Sequence, residues 1–80
     1  MRTPTSKTVA LTGTETALAA LATFGIEIIN TSGNTLYYKL NGGSECSLYD
    51  GGTSFQPDIT DASQVSVKGT GTLSYHVFIQ

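Results

Sequence analysis

Turn chemistry recurs about every 8–12 residues in the C-terminal two thirds of this chain, and apolar residues alternate between the turns. The turns are Thr31-Ser32-Gly33-Asn34, Asn41-Gly42-Gly43, Asp50-Gly51-Gly52 and Gly69-Thr70-Gly71. Glycine and asparagine tolerate the positive φ that tight reversals need. An alternation of two puts side chains on opposite faces of a strand, so each run between turns offers one row to a core. Many short strands punctuated this way predict an all-β fold, a small β-sandwich or jelly-roll-like barrel.

Each run can be assigned its faces. Val9 and Leu11 share one face of Thr8–Thr12. Ile26 and Ile28 oppose Glu27 and Ile29. Leu36, Tyr38 and Leu40 oppose Tyr37 and Lys39, and Val65 pairs in direction with Val67. The longest run, Thr72–Ile79, turns Leu73, Tyr75, Val77 and Ile79 inward and leaves Ser74, His76 and Phe78 on the other side. The Ser-Gly-Asn turn predicts a hairpin between the runs at 26–30 and 35–40, and Gly-Thr-Gly a second between 64–68 and 72–79. The segment Ala17-Leu18-Ala19-Ala20-Leu21-Ala22 holds good helix formers but ends at Gly25, so an irregular or extended connection is expected there. Around Asp58–Ser63 a loop tucks in Ile59.

Eighty residues make one domain at most, with little core to spare. Chains of this size usually need a staple. Cys46 is the only cysteine and His76 the only histidine, so neither an intrachain disulfide nor a zinc site of the usual spacing is available. Charged residues are only 12% of the chain, whereas Thr, Ser and Gly supply 13, 8 and 9 residues. A surface so poor in charge predicts cover by neighbours, through self-association or docking on a larger assembly. The net charge of −2, with Arg2, Lys7, Lys39 and Lys68 scattered, argues against nucleic acid. No apolar stretch is long enough for a membrane-spanning helix. Residues 1–7 are polar, contain Pro4 and read as a flexible N-terminal arm for attachment, leaving 8–80 as the single folded domain.

Catalytic chemistry is hard to assemble from these residues. His76 is the only base of its kind, it lies mid-strand, and there is no nucleophile-elbow motif. Cys46 has no neighbouring cation in sequence to activate its thiol. Asp58 and Asp61 read as turn-capping carboxylates in a solvated loop, and nothing resembles a complete calcium loop. The expectation is a protein that is not an enzyme and holds no cofactor or metal. Phe78 is the odd residue, an aromatic on the face shared with Ser74 and His76, and Tyr37 is placed similarly on its own strand. Tyr37, His76 and Phe78 therefore form the candidate protein–protein interface, the alternative being a second face covered within the chain. A carbohydrate or host-surface module is a separate reading, with Tyr37, Tyr49 or Phe78 as a stacking platform, although the chain has no tryptophan.

The stretches TVALTGTETALAAL, IEIINTSGNTLYYKLNGG and SQVSVKGTGTLSYHVFIQ resemble a group of small bacteriophage virion proteins, over nearly all of Thr8–Gln80. The resemblance implies a non-catalytic structural part of a virion made in the host cytoplasm. A capsid decoration or cement protein is the first expectation, and a tail, neck or fibre accessory the alternative. It also implies an oligomeric β-sandwich that binds capsid or other virion proteins, with a trimer expected. One departure is Asp50-Gly51-Gly52, where the group tends to carry a proline-glycine turn; the turn is kept and the subfamily stays open.

Overall fold

The computed structural model describes residues 3–79 as two four-stranded antiparallel sheets packed face to face. The strands are β1 (Thr3–Thr12), β2 (Thr16–Ala17), β3 (Ile26–Asn30), β4 (Leu36–Leu40), β5 (Cys46–Leu48), β6 (Thr53–Gln56), β7 (Val65–Lys68) and β8 (Thr70–Ile79). One sheet has the order β1-β8-β3-β6, and the other β2-β7-β4-β5. The molecule is a β-sandwich and not a closed barrel, because β1, β6, β2 and β5 all remain edges. The only helical piece among the described residues is a 3-10 turn at Ala62–Gln64.

The inward rows read from alternation form the core. Ile26, Ile28, Leu73 and Val77 from the first sheet meet Leu36, Val65 and Val67 from the second, all fully buried. Burying one such side chain stabilises by about 1.5–3 kcal/mol. Leu18 and Ile59, from irregular segments, close the ends of this core. Asp61 caps the 3-10 turn, its side chain accepting from the Ser63 N–H while Gln64 returns a bond to the Asp61 N–H. Bonds from the Ser63 N–H and hydroxyl, with one from the Leu21 N–H, hold the Asp61 carboxyl below its usual pKa.

The two expected hairpins are absent. β3 and β4 lie in different sheets, as do β7 and β8. The turns between them reverse the chain but carry it across the sandwich. The only turn that joins a hydrogen-bonded pair of consecutive strands is the Asn41-Gly42-Gly43 region, between β4 and β5. At Gly69 the reason is steric: an added Cβ would fall 2.4 Å from Leu36 Cδ2, so the chain leaves sheet two pressed onto a core leucine. β8 accordingly sits inside its sheet, between β1 and β3.

The expected flexible arm is corrected as well. Residues 3–7 are the first half of β1, which pairs with β8 from Thr3↔Ile79 to Thr12↔Thr70; Met1 and Arg2 lie outside the described residues. A strand needs only main-chain partners, so the lack of apolar side chains did not keep this segment out of the sheet. Beyond the strand, Gly13 N–H donates to the Gly69 carbonyl. By alternation, odd residues of β1 bond to β8 and even ones face the free edge. Pro4 falls on the free side, where its missing N–H breaks no ladder bond. Lys7 lies on the inward row yet stays exposed, because the matching edge strand β2 is only two residues long. An edge proline and an inward charge both obstruct strand addition. Replacing them together, Pro4→Thr with Lys7→Val, should convert β1 into an adhesive edge. Higher-order species should appear in sedimentation, with rising thioflavin fluorescence; a double variant that sediments as the wild type does would show that the edge needs no guard.

Candidate interaction surface

The outer face of the β1-β8-β3-β6 sheet is built by the side chains that alternation excludes from the core. In one cross-strand row stand Ser6, His76, Glu27 and Phe55. His76 Nδ1 lies 3.1 Å from Glu27 Oε1, each side chain about one third exposed (35% and 34%), so the two form an ion pair whenever the imidazole is protonated. In the next row Phe78 stands on β8 opposite Pro4, with Gly25 at the start of β3 on its other side.

Gly25 packs closely on the main chain that follows Phe55. It has φ +112°, and an added Cβ would meet the Gln56 carbonyl and Pro57 Cα, each at 3.3 Å. On the same face Phe55 and Phe78 meet across β3 with ring centroids 5.8 Å apart and planes at 87°. Edge-to-face pairs of this kind contribute about 0.5–1.5 kcal/mol beyond their burial. Phe55 is nevertheless 55% exposed, and Phe24, whose N–H donates to the Phe78 carbonyl, is 43% exposed at the same end of the sheet. Buried Thr23 fixes this end: its Oγ1 donates to the Gly25 carbonyl at 2.6 Å and accepts from the Phe78 N–H at 3.0 Å.

The three candidates read from sequence therefore separate. His76 and Phe78 share the outer face of one sheet, while Tyr37 lies on β4 in the other, opposite Lys68 and Ser47. Phe78 is half-buried against Phe55 rather than standing alone. Sequence reasoning missed Phe55 and Phe24. The signal for Phe55 lay in Thr53–Gln56, where Ser54 and Gln56 alternate with it. Those two polar side chains turn inward, Ser54 donating to the Tyr38 hydroxyl and Gln56 Nε2 to Ser54 Oγ. A polar inward pair made the strand hard to orient.

The residues weighed for catalysis lie apart. Cys46 is exposed on β5 and His76 is on the outer face of the opposite sheet. Among the described residues no three His, Cys, Asp or Glu side chains cluster as a metal site would require, and no helix is long and apolar enough to cross a membrane. No family model matches the chain, and neither does any curated protein or solved structure.

Proposed function

We propose that this chain is a non-catalytic structural protein of a bacteriophage particle, in the first place a head decoration or cement protein, which docks through the sheet face bearing Phe55 and Phe78. The observation that carries the docking reading is the edge-to-face Phe55–Phe78 pair on a solvent-facing sheet. Aromatic residues are enriched at the centres of protein interfaces, where they supply large rigid contact area. The small charge complement of the chain adds support, and the carboxylate on this face, Glu27, already has His76 as a partner. The phage assignment rests on the sequence resemblance, as does the expectation of a trimer. A tail, neck or fibre accessory would use the same face. Quantitative mass spectrometry of purified virions separates the placements by copy number.

Phe55→Ser tests the docking face. Phe55 is more than half exposed, so its loss should cost the isolated domain no more than about 1 kcal/mol, mainly the ring pair. Binding to particles, or self-association in solution, should weaken about tenfold or more, from about 1.5–3 kcal/mol of lost burial. Co-sedimentation with particles and analytical ultracentrifugation read the two. Undiminished binding and association would remove this face from consideration.

A second reading has its own observation. Tyr37, on the outer face of β4, is 37% exposed, and Tyr49, the residue after β5 in the same sheet, is 70% exposed. Exposed tyrosines can stack on a sugar ring, so glycan-array binding abolished by Tyr49→Ser would favour a carbohydrate or host-surface module.

A further inference from the structure

A cavity of about 260 Å³ opens between the sheets at the end of the sandwich that carries the aromatic face, lined by Leu40, Asn41, Gln56, Pro57, Asp58 and Ile59. It adjoins that face through one step of β6: Phe55 lies outside and Gln56 lines the cavity. Its apolar parts are the side chains of Leu40, Pro57 and Ile59. Its polar side chains offer more free acceptors than donors. Among the described residues the Asp58 carboxylate makes no hydrogen bond or ion pair. Gln56 has its Nε2 committed to Ser54 Oγ, which leaves Oε1 as its free acceptor. Among the described residues the Asn41 side chain has no partner, although the Asn41 main-chain N–H donates to the Gln64 carbonyl. Among the described residues no cation lines the cavity, and the neighbouring Lys39 is engaged by Glu15 at 3.2 Å.

We infer that this cavity receives the side chain of a lysine from the docked protein partner. The chemistry fits part by part. An ammonium offers three N–H donors and no acceptor, and its four-carbon stem is apolar. The carboxylate of Asp58 and the side-chain oxygens of Gln56 and Asn41 offer acceptors beside an apolar wall, with the Asn41 Nδ2 as the one free side-chain donor among them. An uncompensated carboxylate favours a cation over a neutral donor, and three separate acceptors match a rotating ammonium better than a planar guanidinium, which favours a two-pronged carboxylate contact. The inference deepens the docking reading and rests on it for the identity of the partner as a protein. The site itself is tested on the isolated chain.

The test is an amide-resolved NMR titration of the full chain with n-butylammonium chloride at constant ionic strength. n-Butanol and n-butylguanidinium serve as the neutral and planar comparisons. Saturable shifts are expected at the amides of Asn41, Gln56, Asp58 and Ile59. Binding should be about two- to fivefold tighter than for n-butanol, the range expected for a solvent-accessible ion pair. Asp58→Asn should abolish that preference while leaving the β spectrum unchanged. Equal responses at Glu45 and Asp50, or an unchanged titration in Asp58→Asn, would overturn the site; n-butylguanidinium binding as tightly as n-butylammonium would overturn its assignment to lysine. Loss of particle binding in Phe55→Ser without any amine binding would sink the cavity and keep the docking face, and the opposite pair of results would do the reverse.

Discussion

Asn30→Leu should unfold much of the population near physiological temperature. Asn30 ends β3, is fully buried, and sits where the chain leaves one sheet for the other. Its Nδ2 donates to the carbonyls of Asn34 at 2.6 Å and Leu48 at 2.7 Å. Its Oδ1 accepts from the N–H of Ser32 at 2.9 Å and from the Ser32 hydroxyl at 2.7 Å. Its main chain pairs with Gly51 and Gly52. The side-chain amide thus ties the β3–β4 crossover to the end of β5, while the Asn30 main chain holds the β5–β6 turn. Leucine fills a similar volume but leaves the freed carbonyls and N–H without partners, each at a cost of about 1–3 kcal/mol where water cannot reach. A total of about 3–5 kcal/mol would be a large share of the roughly 4–12 kcal/mol expected for 80 residues. The thermal midpoint should fall by about 15 °C or more. Asn30→Asp should also destabilise strongly, since a carboxylate cannot donate to the two carbonyls. A midpoint within about 5 °C of wild type for Asn30→Leu would mean that the crossover is held by other contacts.

Gly71→Ala should be comparably damaging for a different reason. Gly71 lies in β8 opposite Leu11, at φ +116°, a region that side chains rarely enter. An added Cβ would approach Ser32 Cβ to 2.5 Å and the Ser32 Cα and carbonyl oxygen to 3.1 Å. Two of these atoms are main chain, so no rotamer change relieves the overlap. The backbone term alone is of order 1–3 kcal/mol, and displacement of the β3–β4 crossover adds to it. A Tm loss of about 10 °C or more is expected from thermal denaturation. Gly33→Ala, at φ +84° but with open space around its Cβ, is the control and should lose less. Equal losses in the two variants would show that conformation rather than contact sets the cost.

These two positions also show where sequence reading stopped. Alternation identified the inward rows because burial in a sheet has a period of two, a local property written into consecutive residues. Leu73, Tyr75 and Val77 inside, with His76 and Phe78 outside, follow from that alone. Turn composition located the reversals for the same reason: φ preference belongs to single residues. Neither property says which strand a reversed chain will pair with. A Gly-Thr-Gly turn permits a hairpin or a crossover, and the choice falls to whichever arrangement covers both inward rows at once. Here it is the crossover, which places β7 and β8 in facing sheets and leaves Gly71 against Ser32.

The rest depended on neighbours distant in the chain. Thr3–Lys7 looked like an arm because it has no apolar row, yet β8 offers it a ladder that needs none. Asn30 read only as the polar last residue of a strand, and only the converging carbonyls of Asn34 and Leu48 make it a buried tie. Phe78 was legible as an outward aromatic; its partner Phe55 was not, because their contact crosses a strand at Gly25 and joins β6 to β8. The sequence by itself determined the strands, their faces and the places where the chain could turn, since those follow from the geometry of one residue and the next. Tertiary structure alone decided which strands pair, which edge stays open, and which outward side chains gather into a surface, because these depend on covering two apolar rows together.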